Sequence, residues 1–265
     1  MLLPLPAPAV SDSFYDDLAE SFHLIFADWD AAIARQREVL AKLLPVPATG
    51  KRILDCACGI GTQAIGLAML GFTVDGLDLS PSSINRARRE ATARGLKAEF
   101  RVDDMRSLST APIQSYDAVI AMDNAIPHLD SDEDIETALR AMLARLRSGG
   151  IALISLRDYG PLIASRPSST PASLYLDGKF RRFVHQVWDW QDNRRYIVHL
   201  FITVERPDGW HTRHSIGHYR AIAPSEVSDL AQRAGFDDVR VLAPNETGYY
   251  QPVIRAVAPQ VPTSG

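Results

Sequence analysis

The segment DCACGIGTQ, residues 55–63, follows the apolar pair Ile53-Leu54 and precedes a stretch of helix-forming residues. Gly59 and Gly61 predict a tight turn between a buried strand and a helix, in which the backbone approaches a bound ligand closely. No lysine follows Gly61, so the segment does not form a triphosphate-binding P-loop. Residues 59–64 formally match the dinucleotide fingerprint G-x-G-x-x-A, so a dinucleotide and other ligands both remain open at this point.

Apolar runs and helical patterns alternate along the chain after this turn. The pattern predicts strands at 52–56, 72–78, 98–102, 117–122 and 151–156, and helices at 62–70, 81–94 and 131–146. Apolar strands that alternate with helices indicate a parallel sheet covered on both faces. Ser148-Gly149-Gly150 is expected to end the last of these helices. Upstream, apolar residues at helical spacing predict a helical region from Ser13 to Leu44, ended by Pro45-Val46-Pro47.

The alternation of strands and helices stops after Leu156. Residues 157–173 are rich in Pro, Ser and Gly, which predicts a loop. Alternating apolar residues then predict antiparallel strands, with Asp208-Gly209 as a hairpin turn. A last helix at 225–234 and a closing strand at 249–258 follow. We therefore divide the chain into a helical cap at 1–48, a ligand-binding core at 49–156, an antiparallel insertion at 157–223, and the last helix and strands of the core at 224–265.

Composition narrows the expected partners. The chain has 265 residues and a formal net charge of −4, so it lacks the broad basic field that nucleic-acid binding requires. No run reaches the roughly 18 apolar residues of a membrane helix. The N-terminal MLLPLPAPAV lacks the basic region of a signal peptide, so we expect a cytoplasmic protein without membrane contact. Cys56 and Cys58 are too few for a disulfide framework or a zinc site. His211 and His214 point to opposite faces of a predicted strand, so no metal is expected.

Three acids, Asp55, Asp78 and Asp104, stand at the ends of successive predicted strands. Ligands bind at the carboxyl ends of the strands in such sheets, so we expect these acids to face one site. Asp55 can orient the glycine turn or meet an ammonium group, and Asp78 suits the two hydroxyls of a ribose. Asp104 can accept a hydrogen bond from the amino group of adenine while Met105 packs on the ring. The role of Asp104 favours S-adenosylmethionine (SAM) over a dinucleotide.

Residues 52–156 resemble the class I SAM-dependent methyltransferases. The resemblance rests on DCACGIG at 55–61, LDLS at 77–80, VDDMRSL at 102–108 and YDAVIAMDNAIPHL at 116–129. Ala57 stands where many members have Gly. The glycine/sarcosine N-methyltransferase branch, which the chain resembles most, also has Ala at this position. Asp123 stands where that branch usually has Gly before Asn124. The resemblance implies an α/β, Rossmann-like, doubly wound fold with a seven-stranded, mostly parallel sheet, an N-terminal helical cap and a small antiparallel β insertion.

The resemblance also implies which residues form the site. The cofactor-binding residues would be Asp55, Ala57, Gly59, Gly61, Gln63, Asp78, Leu79, Asp104, Met105, Met122, Asn124 and Trp29. FYDDLAESFHLIFADWDAAIARQ at 14–36 resembles the cap of that branch, and Tyr15 in it is expected to face the sulfonium. His128 is expected to make a polar contact nearby, and we take Tyr15 and His128 as the catalytic pair.

On the acceptor side, SLRDYG at 155–160 resembles a segment of that branch in which an Arg faces the substrate carboxylate. Arg157 is therefore expected to hold a carboxylate or a ring carbonyl through its two-pronged donor geometry. The other residues expected to contact the acceptor are Tyr159, Trp188, Trp190, Tyr219, Arg220 and Tyr249.

Together these features predict a SAM-dependent methyltransferase that acts on a small molecule, most readily at nitrogen, and releases S-adenosylhomocysteine. Arg157 favours a glycine-like amine, whereas Trp188 and Trp190 favour a planar N-heterocycle such as a toxoflavin-type azapteridine. The alternatives are a natural-product O-methyltransferase, a SAM-binding module without activity, and an NAD-dependent oxidoreductase resting on the match at 59–64. The expected partner is the small-molecule substrate, and the expected assembly is a monomer or a homodimer.

Overall fold

The computed structural model describes residues 14–44 and 48–260, and the structural statements below concern these residues. The helices are α1 (Phe14–Leu18), α2 (Trp29–Leu43), α3 (Thr62–Met69), α4 (Pro81–Ala93), α5 (Asp132–Arg145), α6 (Tyr159–Ser165), α7 (Pro224–Arg233) and α8 (Pro244–Thr247). The strands are β1 (Arg52–Asp55), β2 (Thr73–Asp78), β3 (Ala98–Val102), β4 (Tyr116–Ala121), β5 (Leu146–Ser155), β6 (Ser173–Asp177), β7 (Phe180–Trp190), β8 (Arg195–Arg206), β9 (Gly209–Arg220), β10 (Asp237–Leu242) and β11 (Val253–Val257). Short 3-10 turns lie at Phe22–Ile25 and Ile126–His128.

Seven strands form one sheet in the order β10-β11-β5-β4-β1-β2-β3. Only β11 runs antiparallel to its neighbours, β10 and β5, within the described chain. The order of the chain reverses between β1 and β4, and a ligand crevice opens at the carboxyl ends of the strands at such a switch point. The expected doubly wound sheet with an antiparallel seventh strand is confirmed.

Side-chain caps fix where the helices that border the crevice begin. Asp28, Ser80 and Ser131 precede α2, α4 and α5, and each side chain accepts a hydrogen bond from a backbone N–H of the first turn. Pro81 occupies the first turn of α4, where its missing N–H costs nothing. Gly61 takes the capping position of α3 in a left-handed conformation. The helix starts therefore follow directly from the local sequence.

The second sheet is antiparallel and has the order β6-β7-β8-β9. Tyr196, Val198, Leu200 and Ile202 alternate along β8 and are buried on the inner face, which packs toward the rest of the molecule. On the outer face the intervening side chains are more exposed, as in an antiparallel sheet with one wet side. The expected antiparallel insertion is therefore present.

The N-terminal helix α1 contacts the four-stranded sheet and helix α4. Phe14 and Leu18 form a small apolar cluster with Leu200 and Ile202 on the inner face of β8. Asp16 accepts hydrogen bonds from the start of α4, at Ser80 Oγ and the Ser82 backbone N–H. This helix therefore lies across the seam between the two sheets.

Helix α2 is packed more deeply than α1. Ile33 and Leu40 are almost fully buried, and they belong to the same apolar cluster as β1 and α3. Gly66 of α3 allows this close approach, since a Cβ there would lie 3.3 Å from the carbonyl oxygen of Ile33. Helix α2 is therefore part of the main core as well as part of the cap.

Four details differ from the sequence-based expectation. The region 13–44 is divided into α1, a 3-10 turn and α2, because Asp28 caps a new helix. Helix α6 occupies part of the predicted loop 157–173, because Asp158 caps it. Strand β5 begins at Leu146, before the glycines expected to end α5, and β6 was not predicted. Residues 45–47, with the predicted proline break, and the N-terminal segment lie outside the described residues. No helix of the described chain is long and apolar enough to cross a membrane.

Candidate active site

The glycine turn between β1 and α3 lies at the switch point of the sheet. Gly59 has φ +53° and Gly61 has φ +95°, values that L side chains rarely adopt. A Cβ on Gly61 would also lie 3.0 Å from Ile65 Cδ1, whereas a Cβ on Gly59 would meet no atom within 4 Å. The turn is therefore tightly packed on the helix side and open on the side where a ligand would lie.

Asp55 is fully buried at the end of β1. Its Oδ1 accepts from the Ala57 backbone N–H at 3.4 Å, while its Oδ2 is buried and has no hydrogen-bond partner among the described residues. Burial above all, with contributions from the charges of Asp78 and Asp123, raises the pKa of Asp55 to about 8. A buried carboxylate oxygen without a donor is destabilising unless a ligand supplies one. This atom therefore marks a position for a ligand donor or cation.

Asp78 lies at the end of β2, beside the turn. Its Oδ2 accepts from the Gly59 N–H at 2.8 Å and its Oδ1 from the Ser80 N–H at 2.9 Å. Burial raises the pKa of this carboxyl group. Each oxygen keeps a further lone pair, so the carboxylate can hold the turn and still accept from two ligand hydroxyls. Leu79, the next residue, is exposed at the rim.

Asp104 lies after β3, at the same edge of the sheet, but Arg106 holds its carboxylate. The Arg106 Nε and Nη2 atoms donate to Asp104 Oδ2 at 3.0 and 2.6 Å, and this contact lowers the pKa of Asp104. The neighbouring Asp103 accepts hydrogen bonds from the backbone N–H and the hydroxyl of Thr110, which hold the two ends of the loop after β3 together. Met105 is partly buried against the core. A ligand amino group at Asp104 would share the carboxylate with Arg106, which the sequence analysis did not anticipate.

The chain makes an unusual turn at the end of β4. Met122 is buried, and both residues after it have positive φ, +56° at Asp123 and +73° at Asn124. The Asn124 amide donates to the Tyr159 hydroxyl at 3.0 Å and accepts from the Arg157 N–H at 3.1 Å. Asn124 therefore joins the end of β4 to the segment after β5.

The Asp123 carboxylate accepts hydrogen bonds from three parts of the chain. Gln63 Nε2, in the first turn of α3, donates to its Oδ2 at 2.7 Å, and Gln36 Nε2 of α2 does so at 3.4 Å. The Tyr250 hydroxyl donates to Oδ1 at 2.8 Å, and the Tyr249 hydroxyl donates to the same atom. Tyr249, expected on the acceptor side, therefore contacts Asp123 and Gln36.

Tyr15 of α1 and His128 form a hydrogen-bonded pair between the two sheets. His128 Nδ1 faces the His218 carbonyl oxygen at 3.1 Å, so Nδ1 carries the proton and Nε2 accepts from the Tyr15 hydroxyl at 2.7 Å. Burial lowers the pKa of His128 to about 4, so the imidazole is neutral at pH 7. Burial, with a contribution from Tyr219, raises the pKa of Tyr15 well above its ordinary value. The pair is therefore uncharged, with the Tyr15 hydroxyl as the donor and His128 Nε2 as the acceptor.

Arg157 extends from the end of β5 into a cage of aromatic side chains. Its guanidinium lies 4.9 Å from the Trp188 ring centre and 5.9 Å from that of Tyr219. Nη1 donates to the Tyr196 hydroxyl at 3.3 Å and Nη2 to Gln186 Oε1 at 3.2 Å. No acid of the described chain forms an ion pair with it. Burial acts to lower the pKa of Arg157, but the surrounding tyrosines raise it overall, so the group stays charged.

The aromatic residues around Arg157 stack on one another. Tyr196 lies between Trp190, at 4.9 Å between ring centres, and Tyr219, at 5.6 Å. Its hydroxyl is 2.8 Å from that of Tyr159. Trp188 directs its indole N–H to Gln186 at 2.9 Å. All of these neighbours are uncharged, so the Arg157 guanidinium is the charged group of this cage.

Two of the expected site residues are engaged by neighbouring side chains. Arg220 follows Tyr219 on β9 and therefore points to the opposite face, where it pairs with Asp132 at the start of α5. Trp29 is buried between α2 and α3, and its indole N–H donates to the Thr62 hydroxyl at 2.9 Å. The structure therefore does not bring Arg220 to the cage around Arg157.

Tyr196 and Gln186 were missed as contacts of Arg157. Tyr196 begins the alternating row Tyr196, Val198, Leu200 and Ile202, and this periodicity was visible in the sequence. Asp123 was noted only as a departure from a resembled pattern. The substitution of an acid for glycine at a turn was the available signal, and the structure shows that the turn indeed has the conformation that favours glycine.

Comparisons with known proteins agree with this geometry. A family model described as a methyltransferase domain matches residues 53–150, the part of the chain that contains the glycine turn and the acidic strand ends. The chain is similar to a glycine/sarcosine N-methyltransferase of Aphanothece halophytica, with 26% identity over 248 residues, 91% of this chain and 88% of that protein.

A second relative and a solved structure extend the comparison. A ubiquinone biosynthesis O-methyltransferase of Methylocella silvestris is 37% identical over 107 residues, which are 40% of either chain. The crystal structure of DesVI from Streptomyces venezuelae has a TM-score of 0.74 and 20% identity, and the match covers 90% of this chain and 97% of that one. The O-methyltransferase similarity therefore covers less than half of this chain, whereas the other two cover about nine-tenths of it.

Proposed function

We propose that this chain, which is similar to class I SAM-dependent methyltransferases of small molecules, methylates the nitrogen of a small amine that carries a carboxylate. The observation that supports this acceptor is the charged Arg157 guanidinium, which has aromatic neighbours and no acidic partner in the described chain. A buried cation of this kind is stabilised when an anion binds it. The NAD-dependent alternative gains nothing from the comparisons and is set aside.

The residues at the switch point fit SAM. The unpartnered Asp55 Oδ2 supplies an acceptor for an ammonium group, and the open side of Gly59 leaves room for the ligand backbone. Asp78 offers free lone pairs for the ribose hydroxyls. Asp104 and Met105 would border the adenine, with Arg106 sharing the carboxylate. SAM bound there supplies an electrophilic methyl group on a sulfonium.

The chain's contribution to the reaction is alignment and exclusion of water. Tyr15 presents a hydroxyl oxygen whose proton is engaged by His128, so it can face a cation without adding a proton. Arg157 and the Asn124–Tyr159 pair fix the acceptor side relative to the end of β4. In-line displacement needs little more than such positioning, because no strong charge develops on the leaving thioether.

A glycine-like acceptor fits the cage better than a planar heterocycle. The rings of Trp190 and Tyr219 stack on the two sides of Tyr196, so the middle ring has no free face for a further planar ring. A small carboxylate needs only the guanidinium edge. Transfer to oxygen is the second candidate, because the neutral His128 could accept a proton from a hydroxyl acceptor through Tyr15.

The experiment is a methyltransferase assay with the purified full chain. Glycine, sarcosine and other small amino acids are compared with their amides, with N-heterocycles and with phenols, and S-adenosylhomocysteine release is measured together with product mass. We expect the amino acids to be methylated at nitrogen and their amides to react poorly. Turnover of phenols alone, or equal turnover of amino acids and amides, would contradict the proposal.

A further inference from the structure

Asp123 occupies a backbone position that disfavours it. Its φ of +56° and the +73° of Asn124 place two successive non-glycine residues in the left-handed region. Backbone strain of this kind persists where the surrounding structure imposes it, and it is concentrated at functional sites. The side chain at this position therefore needs an explanation beyond the turn itself.

The carboxylate of Asp123 accepts several hydrogen bonds from the protein but forms no ion pair in the described chain. All four of its donors, from Gln36, Gln63, Tyr249 and Tyr250, are uncharged. No Lys, Arg or His in the described chain bonds to it. Neutral donors satisfy the lone pairs of a carboxylate without compensating its charge. The four donors also fix the Asp123 carboxylate in position.

This charge lies beside the glycine turn. Gln63, which donates to Asp123 at 2.7 Å, is the second residue of α3 and follows Gly61 by two positions. The charge of Asp123 also acts on Asp55, whose Oδ2 has no partner in the described chain. The charges of Arg157 and Arg35 act on Tyr250, but neither side chain bonds to Asp123. Asp123 is therefore a carboxylate beside the glycine turn that has no cationic bonding partner in the described chain.

We propose that Asp123 makes the cofactor site prefer the cationic SAM over its neutral-sulfur product, S-adenosylhomocysteine. In the reaction a lone pair of the acceptor forms a bond to the methyl carbon while the C–S bond breaks with its electron pair going to sulfur. The positive charge passes from sulfur to the acceptor atom, which loses it by releasing a proton to solvent, so the sulfur of the product is neutral. An acid close to that position loses its attraction when the charge is lost. The inference rests on SAM as the cofactor and is independent of which acceptor is used.

The test measures dissociation constants by calorimetry for SAM, S-adenosylhomocysteine and sinefungin, in which a protonated amine replaces the sulfonium. We expect Asp123→Asn and Asp123→Gly to weaken SAM and sinefungin about tenfold or more relative to S-adenosylhomocysteine, as expected for a nearby unit charge. The glycine variant suits the positive φ, so it should fold, and the asparagine variant keeps the side-chain volume. Thermal unfolding of both variants checks the fold.

Two control variants separate charge from other effects. Tyr250→Phe removes one donor but keeps the Asp123 charge, so the ratio of the SAM and S-adenosylhomocysteine constants should stay. Asp237→Asn removes the same charge at the start of edge strand β10 and should also leave the ratio unchanged. Equal weakening of all three ligands in the Asp123 variants, or no weakening, would overturn the inference. A wild-type protein that binds neither SAM nor S-adenosylhomocysteine would overturn the cofactor assignment as well.

Discussion

Replacement of Arg157 by Met tests the acceptor side most directly. Methionine keeps an apolar stem inside the cage but removes the charge and both donor groups. Hydrogen bonds to charged groups contribute about 1.5–3 kcal/mol each, so a two-pronged contact to a carboxylate contributes about 3–6 kcal/mol. The free enzyme already uses the guanidinium at 3.3 Å to Tyr196 and 3.2 Å to Gln186, and these bonds must be partly exchanged. We therefore expect the lower end, a loss of about 100-fold in kcat/KM.

The assay follows initial rates over a range of acceptor concentrations, together with the SAM dissociation constant from calorimetry. We expect the loss in kcat/KM to appear for amino acids and to be small for their amides. The dissociation constant for SAM should change by less than roughly threefold, because Arg157 does not contact the cofactor in this proposal. Arg157→Lys should recover only part of the rate, because an ammonium lacks the planar fork. Arg181→Met serves as control, since Arg181 lies on β7, the strand that also carries Gln186 and Trp188, but pairs with Glu205. A variant that binds SAM weakly and keeps its acceptor kinetics would refute the assignment of Arg157.

Three further predictions concern the cofactor side and the capping pair. Asp78→Asn should weaken SAM binding by about tenfold or more, because buried ribose hydroxyls lose an acceptor; an unchanged calorimetric constant would remove Asp78 from the ribose. Tyr15→Phe should lower the single-turnover rate by about tenfold while SAM affinity stays, and an unaltered rate would leave the Tyr15 hydroxyl without a catalytic role. Burial raises the pKa of Asp55 from 3.8, the ordinary value that it has in the unfolded chain, to about 8 in the folded protein, so stability without cofactor should fall as pH rises through that window. The slope is at most about 1.4 kcal/mol per pH unit; urea unfolding of Asp55→Asn should lack it, and parallel curves for variant and wild type would contradict the shift.

The fold was predictable because its signals are local. Strand β3 has the predicted bounds 98–102, and α4 begins at Pro81, directly after its Ser80 cap. Helix α6 was missed because Gly160 and Pro161 look like helix breakers, although proline is tolerated in a first turn and Asp158 supplies the cap. The division of the cap region at Asp28 had a similar signal, a capping residue before Trp29.

The site was predictable where the topology alone brings residues together. Asp55, Asp78 and Asp104 end three neighbouring parallel strands, so a correct sheet order places them at one edge. The pairing of Asp104 with Arg106 depends on the exact course of a loop, which no periodicity encodes. Tyr219 and Arg220 are neighbours on one strand, so alternation places their side chains on opposite faces and only one of them can enter the cage.

The position of α1 has a consequence for which step limits the rate of turnover. This five-residue helix bridges the crevice, held to α4 through Asp16 and to His128 through Tyr15. We expect ligand exchange to require these contacts to open and the reaction to require them to be closed. We therefore expect a burst of product in the first cycle, followed by a slower steady state whose rate is set by the opening of helix α1.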